Sequence, residues 1–277
     1  MTIITATIPA PTSSRYRLSA VMASEWTKMR SVRSTTRTLA LTVVFTIGIG
    51  VIATSTEAGR WMHAPAATRL TFDPTSLSLT GILFGQLMLG LLGILVVSAE
   101  YGTGTIRATL SAVPKRGVFL AAKTTTFAIV ALLVGEFASF VAFFAGQALI
   151  GGGAPHSTIS QPGVLGAVIG SGLYLALLGL LGVGLGLIIR HTAGAIAAFV
   201  GFLLLVPLLT PAFPTSIQNA ISKFEPTTIG NAVTIVNTHL PKDSVPTFHP
   251  WAGLAILSAY AAVALGVGGW RLMCRDA

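Results

Sequence analysis

An all-α polytopic membrane fold is what this 277-residue sequence predicts. Three observations carry the prediction: 53% of the residues are hydrophobic, only 9% are charged, and the apolar residues gather into six long runs. The mean hydropathy is +0.81, and an ordinary globular chain carries about 25% charged residues. A hydrocarbon core of about 30 Å asks for about 20 mostly apolar residues per helix. The runs that meet this are residues 39–56, 77–98, 124–150, 164–189, 193–210 and 251–269. Strand-like alternation is missing from them, so helices and not a barrel satisfy the backbone in lipid. Together they make one transmembrane domain spanning residues 1–277.

The formal net charge is +9, and its distribution follows a bilayer. With the N-terminus in the cytoplasm, the inner segments hold Arg15, Arg17, Lys28, Arg30, Arg33, Arg37, Arg107, Lys115, Arg116, Lys123, Arg190, Arg271 and Arg275. The outer segments hold Arg60, Arg69, Lys223 and Lys242. This asymmetry predicts that both termini are cytoplasmic. Cations spread among four connections and both termini, and not gathered on one face, argue against a nucleic-acid partner.

Taken in chain order, residues 1–17 read as a loose leader without the basic start or apolar core of a signal peptide. Residues 18–33 have helical periodicity, with Leu18, Val21, Met22, Trp26, Met29 and Val32 on one face and Lys28, Arg30 and Arg33 beside it. This predicts a helix lying on the inner leaflet, in contact with membrane lipid. Glu25 falls inside the apolar stripe, where a carboxylate needs a partner. Two readings stand open: a local pair with Lys28 three residues on, or an ion pair with another cytoplasmic segment.

Residues 57–76 read as a polar outer loop. After the second run comes EYGTGTIRATLSAVPKRGVFLAAK, in which residues 101–117 predict a punctuated cytoplasmic segment. Gly102 and Gly104 permit a sharp change of direction. A short helix over 105–113 is then stopped by Pro114, and Lys115, Arg116 and Lys123 anchor the third span. The link at residues 190–192 is short enough to make spans four and five an antiparallel hairpin. The outer segment 211–250 carries two helical stripes, Ile217/Ala220/Ile221/Phe224 and Ile229/Ala232/Val233/Val236, separated by Pro226. It predicts two short re-entrant helices shielded by protein. The pairs Gly81/Gly85, Gly166/Gly170, Gly182/Gly186 and Ala262/Gly266 allow close helix approach, within one bundle or between copies.

Chemical motifs are sparse. No phosphate loop, H-E-x-x-H or G-x-S-x-G occurs, so no catalytic residue, metal ligand set or cofactor bound by this chain is predicted. His63, His156, His191, His239 and His249 are scattered, and the lone Cys274 excludes an internal disulfide. Glu136 lies in the middle of the third run, where an ionisable group costs at least ~2.5 kcal/mol on insertion scales and is a functional candidate. It can carry a proton, touch substrate, or accept hydrogen bonds from Gln86 or Tyr174 across the bundle; the alternative is a protonated structural glutamate.

The stretches SEWTKMRSVRSTTRTLAL and AEYGTGTIRATLSAVPKRGVFLAAK, with the six-span plan and the broken outer helices, resemble the permease subunits of type 2 ABC exporters. The resemblance implies a multi-pass protein of a bacterial cytoplasmic membrane that pairs with a second permease copy or a related permease. It also implies two ATPase subunits that bind ATP and Mg and drive export. Carried over by position, Glu100, Tyr101, Gly104, Thr105, Arg107, Pro114, Lys115 and Arg116 would form the coupling region. Glu25, Trp26, Lys28 and Arg30 would belong to the interfacial helix, and none of these residues would be catalytic. The rival expectation is a proton-coupled secondary transporter using Glu136, although no internal repeat supports it.

Overall fold

The computed structural model describes residues 17–151, 153–237 and 247–274. Residues 1–16 of the expected leader, with Arg15, and residues 238–246, with His239 and Lys242, lie outside the described residues, as does Arg275.

The chain opens with α1 (Leu18–Ser31), which Val32 separates by one extended residue from α2 (Arg33–Arg60). The loop after α2 holds α3 (Ala66–Leu70), and α4 (Pro74–Leu79) and α5 (Ile82–Gly102) together make the second span. The short α6 (Thr105–Ala112) precedes α7 (Arg116–Leu149), and α8 (Val164–Ile189) follows. The fifth span runs through α9 (Thr192–Val200), a π turn and α10 (Val206–Leu209). After α11 (Thr215–Ser222) and α12 (Pro226–Thr234), α13 (Pro250–Cys274) closes the bundle. Among the described residues there is no strand. Six helical stretches are long and apolar enough to cross a membrane, so the fold is all-α and polytopic.

The centre of the bundle is α8, which packs against α5, α7 and α13. Small residues explain how closely it does so. A Cβ on Gly93 of α5 would overlap the Gly179 carbonyl, and one on Gly182 would overlap the Gly90 carbonyl. Without a hydrophobic drive between helices in lipid, such backbone contact supplies the dispersion that holds them. Gly81 sits against the Thr46 carbonyl of α2, and Gly170 against Val233 of α12. A Cβ on Gly166 would have only the Trp251 ring at 4.0 Å, and one on Gly266 would meet nothing, so among the described residues the Ala262/Gly266 pair makes no close helix contact.

Two spans differ from simple rods. The second, expected as one helix over 77–98, begins earlier and breaks between α4 and α5 at Thr80 and Gly81. Asp73 starts it by capping the Thr75 and Ser76 amides, with Pro74 in the first turn. In the fifth, the Val206 amide donates to Gly201, five residues back. The bulge lies just ahead of Pro207, which has no amide to donate.

The third span also starts earlier than residue 124, because α7 continues back toward α6 as far as Arg116. Both outer helices form where the stripes predict. Ile229, Gly230 and Val233 bury α12 against the bundle, whereas Ile217, Ile221 and Phe224 stay exposed at and just beyond α11. Among the described residues, α12 is the better shielded of the two.

Candidate functional site: a charged junction beneath α6

The junction is built where α1, α5, α6 and α7 meet. Val21, Glu25 and Met29 recur every four residues on α1, and all three are buried. The inward face of this helix is therefore part of the stripe expected to lie on lipid, while Trp26 and Arg30 are exposed. This resolves the anomaly of Glu25. Its Oε1 accepts from Lys28 Nζ at 2.7 Å, and its Oε2 accepts from Lys123 Nζ at 2.6 Å. Both partners anticipated in outline are present at once, one local and one 98 residues away.

Glu100, in the last turn of α5, completes the square. Its Oε1 accepts from Lys123 at 2.9 Å and from Lys28 at 3.2 Å. Lys28 gives its third proton to Thr109 Oγ1 of α6 at 3.4 Å, and Lys123 gives its third to the Val96 carbonyl at 3.4 Å. Two acids and two ammonium groups make a neutral cluster in which every lysine proton has an acceptor. That completeness is what a buried ion pair requires to offset desolvation. Burial on its own would push the Glu25 carboxyl up. Lys123 first, and Lys28 with it, outweigh that and hold it below the ordinary value. Burial likewise opposes the charge on Lys28, yet Glu25 and Glu100 hold its pKa above the usual lysine range.

Lys123 is a correction to the sequence reading. It was expected with Lys115 and Arg116 to anchor the start of the third span; unlike Lys115 it is 3% exposed and lies inside the protein, where its hold is on Glu25 and Glu100. Its ammonium also stands 5.3 Å from the Phe119 ring. The signal was present: Lys123 falls four residues after Phe119 and four before Phe127, both buried, so it shares the inward face of α7.

The loop into α6 turns at Gly104, whose φ of 71° is left-handed. Gly102 still belongs to α5, so one glycine and not two makes the turn. Ile106 plugs α6 into Phe119 and Leu272. Thr105, Arg107, Ala108, Ser111, Pro114 and Lys115 remain exposed. Tyr101 and Arg116 face inward instead. The Tyr101 ring lies 5.2 Å from the Arg190 guanidinium, and Arg116 donates to the Leu272 carbonyl at 2.8 Å. Arg190 donates to the Arg271 carbonyl at 2.9 Å and Arg271 to the Ile188 carbonyl at 2.6 Å, so α8 and α13 cap each other's C-terminal ends.

The intramembrane candidates separate. Tyr174 donates to Gln86 Oε1, joining α8 to α5 in the buried core. Neither hydrogen-bonds to Glu136, so of the roles open to that residue the acceptance of their hydrogen bonds is not formed. The Glu136 carboxyl instead packs on the backbone of Gly172, with Oε2 buried and unpartnered.

A second polar joint, at the opposite end of the bundle, went unread. Asp73 Oδ2 accepts from the Val236 and Asn237 amides at 2.7 and 2.8 Å, while Oδ1 caps α4. The Asp-Pro pair marks the cap in sequence, but its long-range half carries no local signal. Among the described residues no group of three His, Cys, Asp or Glu side chains could hold a metal ion.

The fold and the junction define a class: an all-α polytopic protein whose first helix, second and third spans and connecting helix are fixed to one another by buried charge. The sequence matches no protein-family model and no curated protein.

Proposed function

We propose that this chain is the membrane-spanning permease half of an ATP-driven exporter, with α6 as the element that a separate ATPase moves. The observation that supports this most is the mounting of α6. It joins two spans directly, is plugged by Ile106, and is tied through Thr109 and Lys28 to the junction beneath it. Its outward residues Arg107, Ala108 and Ser111 are exposed among the described residues. A force on that face reaches α1, α5 and α7 together, because those helices share one ion cluster.

In this reading ATP and Mg bind the partner, and the chain contributes the path. ATP drives the change only if it binds the two conformations with different affinity. The chain sits in a bacterial cytoplasmic membrane with α1 and α6 on the cytoplasmic side. Of the described cations, Arg17, Lys28, Arg30, Arg33, Arg37, Arg107, Lys115, Arg116, Lys123, Arg190 and Arg271 lie at the α6 end, against Arg60, Arg69 and Lys223 at the other. Expression of the chain without any partner tests the assignment. The purified protein is expected to lack ATP hydrolysis, and turnover by the chain alone overturns the reading.

One observation favours a second reading, a proton-coupled transporter. Glu136 Oε2 is buried without a donor in the middle of α7. Replacement of Glu136 by Gln separates the two, since the proton-coupled reading requires transport to stop.

A further inference from the structure

Between α1, α2 and α7 runs an open apolar groove of about 220 Å³. Leu39 of α2 and Val130, Leu133 and Val134 of α7 form its walls, with Trp26 and Arg30 on its α1 side. The volume is below the roughly 300–1,000 Å³ of small-molecule sites, and suits a chain better than a compact ligand. The one hydroxyl on the lining, that of Thr36, is already spent: it donates to the Arg33 carbonyl at 3.1 Å.

The depth of the groove in a bilayer is legible on α7. The exposed residues Gly117, Ala121 and Thr125 are small or polar, whereas from Ile129 onward the exposed residues include Leu132, Leu133 and Phe137. That change marks where the surface of α7 passes from water to hydrocarbon. Val130, Leu133 and Val134 lie beyond it. Trp26 and Arg30, both exposed, bring to the groove the aromatic ring and the long cationic side chain that sit at headgroup level.

Charge fixes the chemistry of the occupant's head. Arg30 lines the groove, and Arg33 shares the Thr36 face of α2, three residues nearer the start of the helix. Both are exposed, and the ion pairs of the described residues include neither. Among the described residues no carboxylate lines the groove. Of the acids on these three helices, Glu25 is closed in by Lys28 and Lys123, Glu136 packs on Gly172, and Glu57 pairs with Arg60 at the far end of α2. A phosphate accepts the N–H bonds that a guanidinium offers, and an acyl chain covers the apolar walls. One turn of a protein helix, about 10 Å across and about 5.4 Å long, would exceed the whole groove.

We propose that this groove holds an anionic phospholipid, its phosphate on Arg30 with Arg33 beside it and one acyl chain along Leu39, Val130, Leu133 and Val134. The inference rests on the polytopic fold and does not depend on an ATPase partner.

Native mass spectrometry of the full chain tests it, after incubation in detergent with phosphatidylglycerol and phosphatidylcholine of identical acyl chains at equal concentration. The wild-type chain is expected to retain one phosphatidylglycerol under activation that strips phosphatidylcholine. Arg30→Gln is expected to weaken that preference roughly fivefold or more, the scale of one basic residue beside an anionic lipid. Thr36→Trp puts a ring into the groove from an exposed position on its lining, and is expected to remove the retained lipid. Both positions are exposed, so both variants are expected to melt as the wild type does; should the tryptophan variant melt early, Arg30→Gln carries the test. Glycerol 3-phosphate, the head without chains, is not expected to be retained. The proposal is overturned if the wild type retains neither lipid or both equally, or if the preference is unchanged in Arg30→Gln. Lipid held undiminished by a folded Thr36→Trp chain, glycerol 3-phosphate held as firmly as the lipid, or a lipid-free dimer as the sole species overturns it as well.

Discussion

Glu25 Oε2 and Lys123 Nζ lie 2.6 Å apart, and both side chains are 3% exposed. The contact joins the first helix to the third span across 98 residues of sequence. A pair this deep is neutral in effect when intact and costly when halved, because the surviving charge has no water to turn to.

Halving it is therefore the informative experiment. Lys123→Met is expected to destabilise the chain by about 3–5 kcal/mol, as removal of one partner of a buried pair does. Adding Glu25→Gln to the same chain is expected to recover part of that loss. Thermal melting of the solubilised protein, compared across the two single variants and the double, reads the coupling; strictly additive losses would show that the pair does not interact.

Glu25 and Lys28 set a pH window. The Glu25 carboxyl lies below its ordinary 4.5 in the folded chain, so its contribution is present above that value and fades as pH falls through the folded one. Lys28 lies above its ordinary 10.5, so its contribution is full below that value and fades as pH rises through the folded one. Melting temperature against pH is expected to be flat across neutrality with an acid and an alkaline fall. Glu25→Gln should blunt the acid limb and Lys28→Met the alkaline one; unchanged limbs would refute the assignment.

How much of this was legible in the sequence follows from how local each signal is. The six spans, α6 and the two outer helices are read from composition, periodicity and Gly or Pro punctuation, all of which act within a few residues. Glu25 announced itself as a charge in an apolar stripe, yet Lys123 as its partner did not, since nothing in a helix pattern says which distant cation will be folded beside it. Gln86 and Tyr174 stood among the open partners of Glu136 and bond each other instead, because sequence does not reveal which faces of three helices turn together. The breaks at Gly81 and ahead of Pro207 have signals, Gly and Pro, that are too common in membrane helices to locate a kink.

Asp73 carries four amide contacts, two to α4 and two to the segment after α12. Loss of a helix cap costs about 0.5–2 kcal/mol, and loss of the two long-range bonds should release the outer segment. Asp73→Ala is expected to lower the melting temperature and to speed amide exchange at Ile235, Val236 and Asn237. Exchange unchanged at those amides would show that the carboxylate does not hold them.

Glycines at helix contacts should differ sharply from glycines at the surface. Gly93→Ala drives a methyl into the Gly179 carbonyl of α8, and Gly266→Ala meets nothing. The first is expected to abolish correct folding, seen as loss of monodisperse protein in size-exclusion chromatography. The second is expected to gain about 0.5–1 kcal/mol, the usual benefit of Ala over Gly within a helix. Equal behaviour of the two would contradict the packing of α5 on α8.

The central claim, that α6 receives an external motor, is tested by what comes with the chain when it is drawn gently from the membranes of its own cell. Wild-type protein is expected to bring ATP hydrolysis into the eluate. The double variant Arg107→Glu/Ala108→Trp, altered only on the exposed face of α6, is expected to melt normally and elute without it. Wild-type eluate free of ATPase activity, or activity undiminished by the α6 variant, would contradict the account.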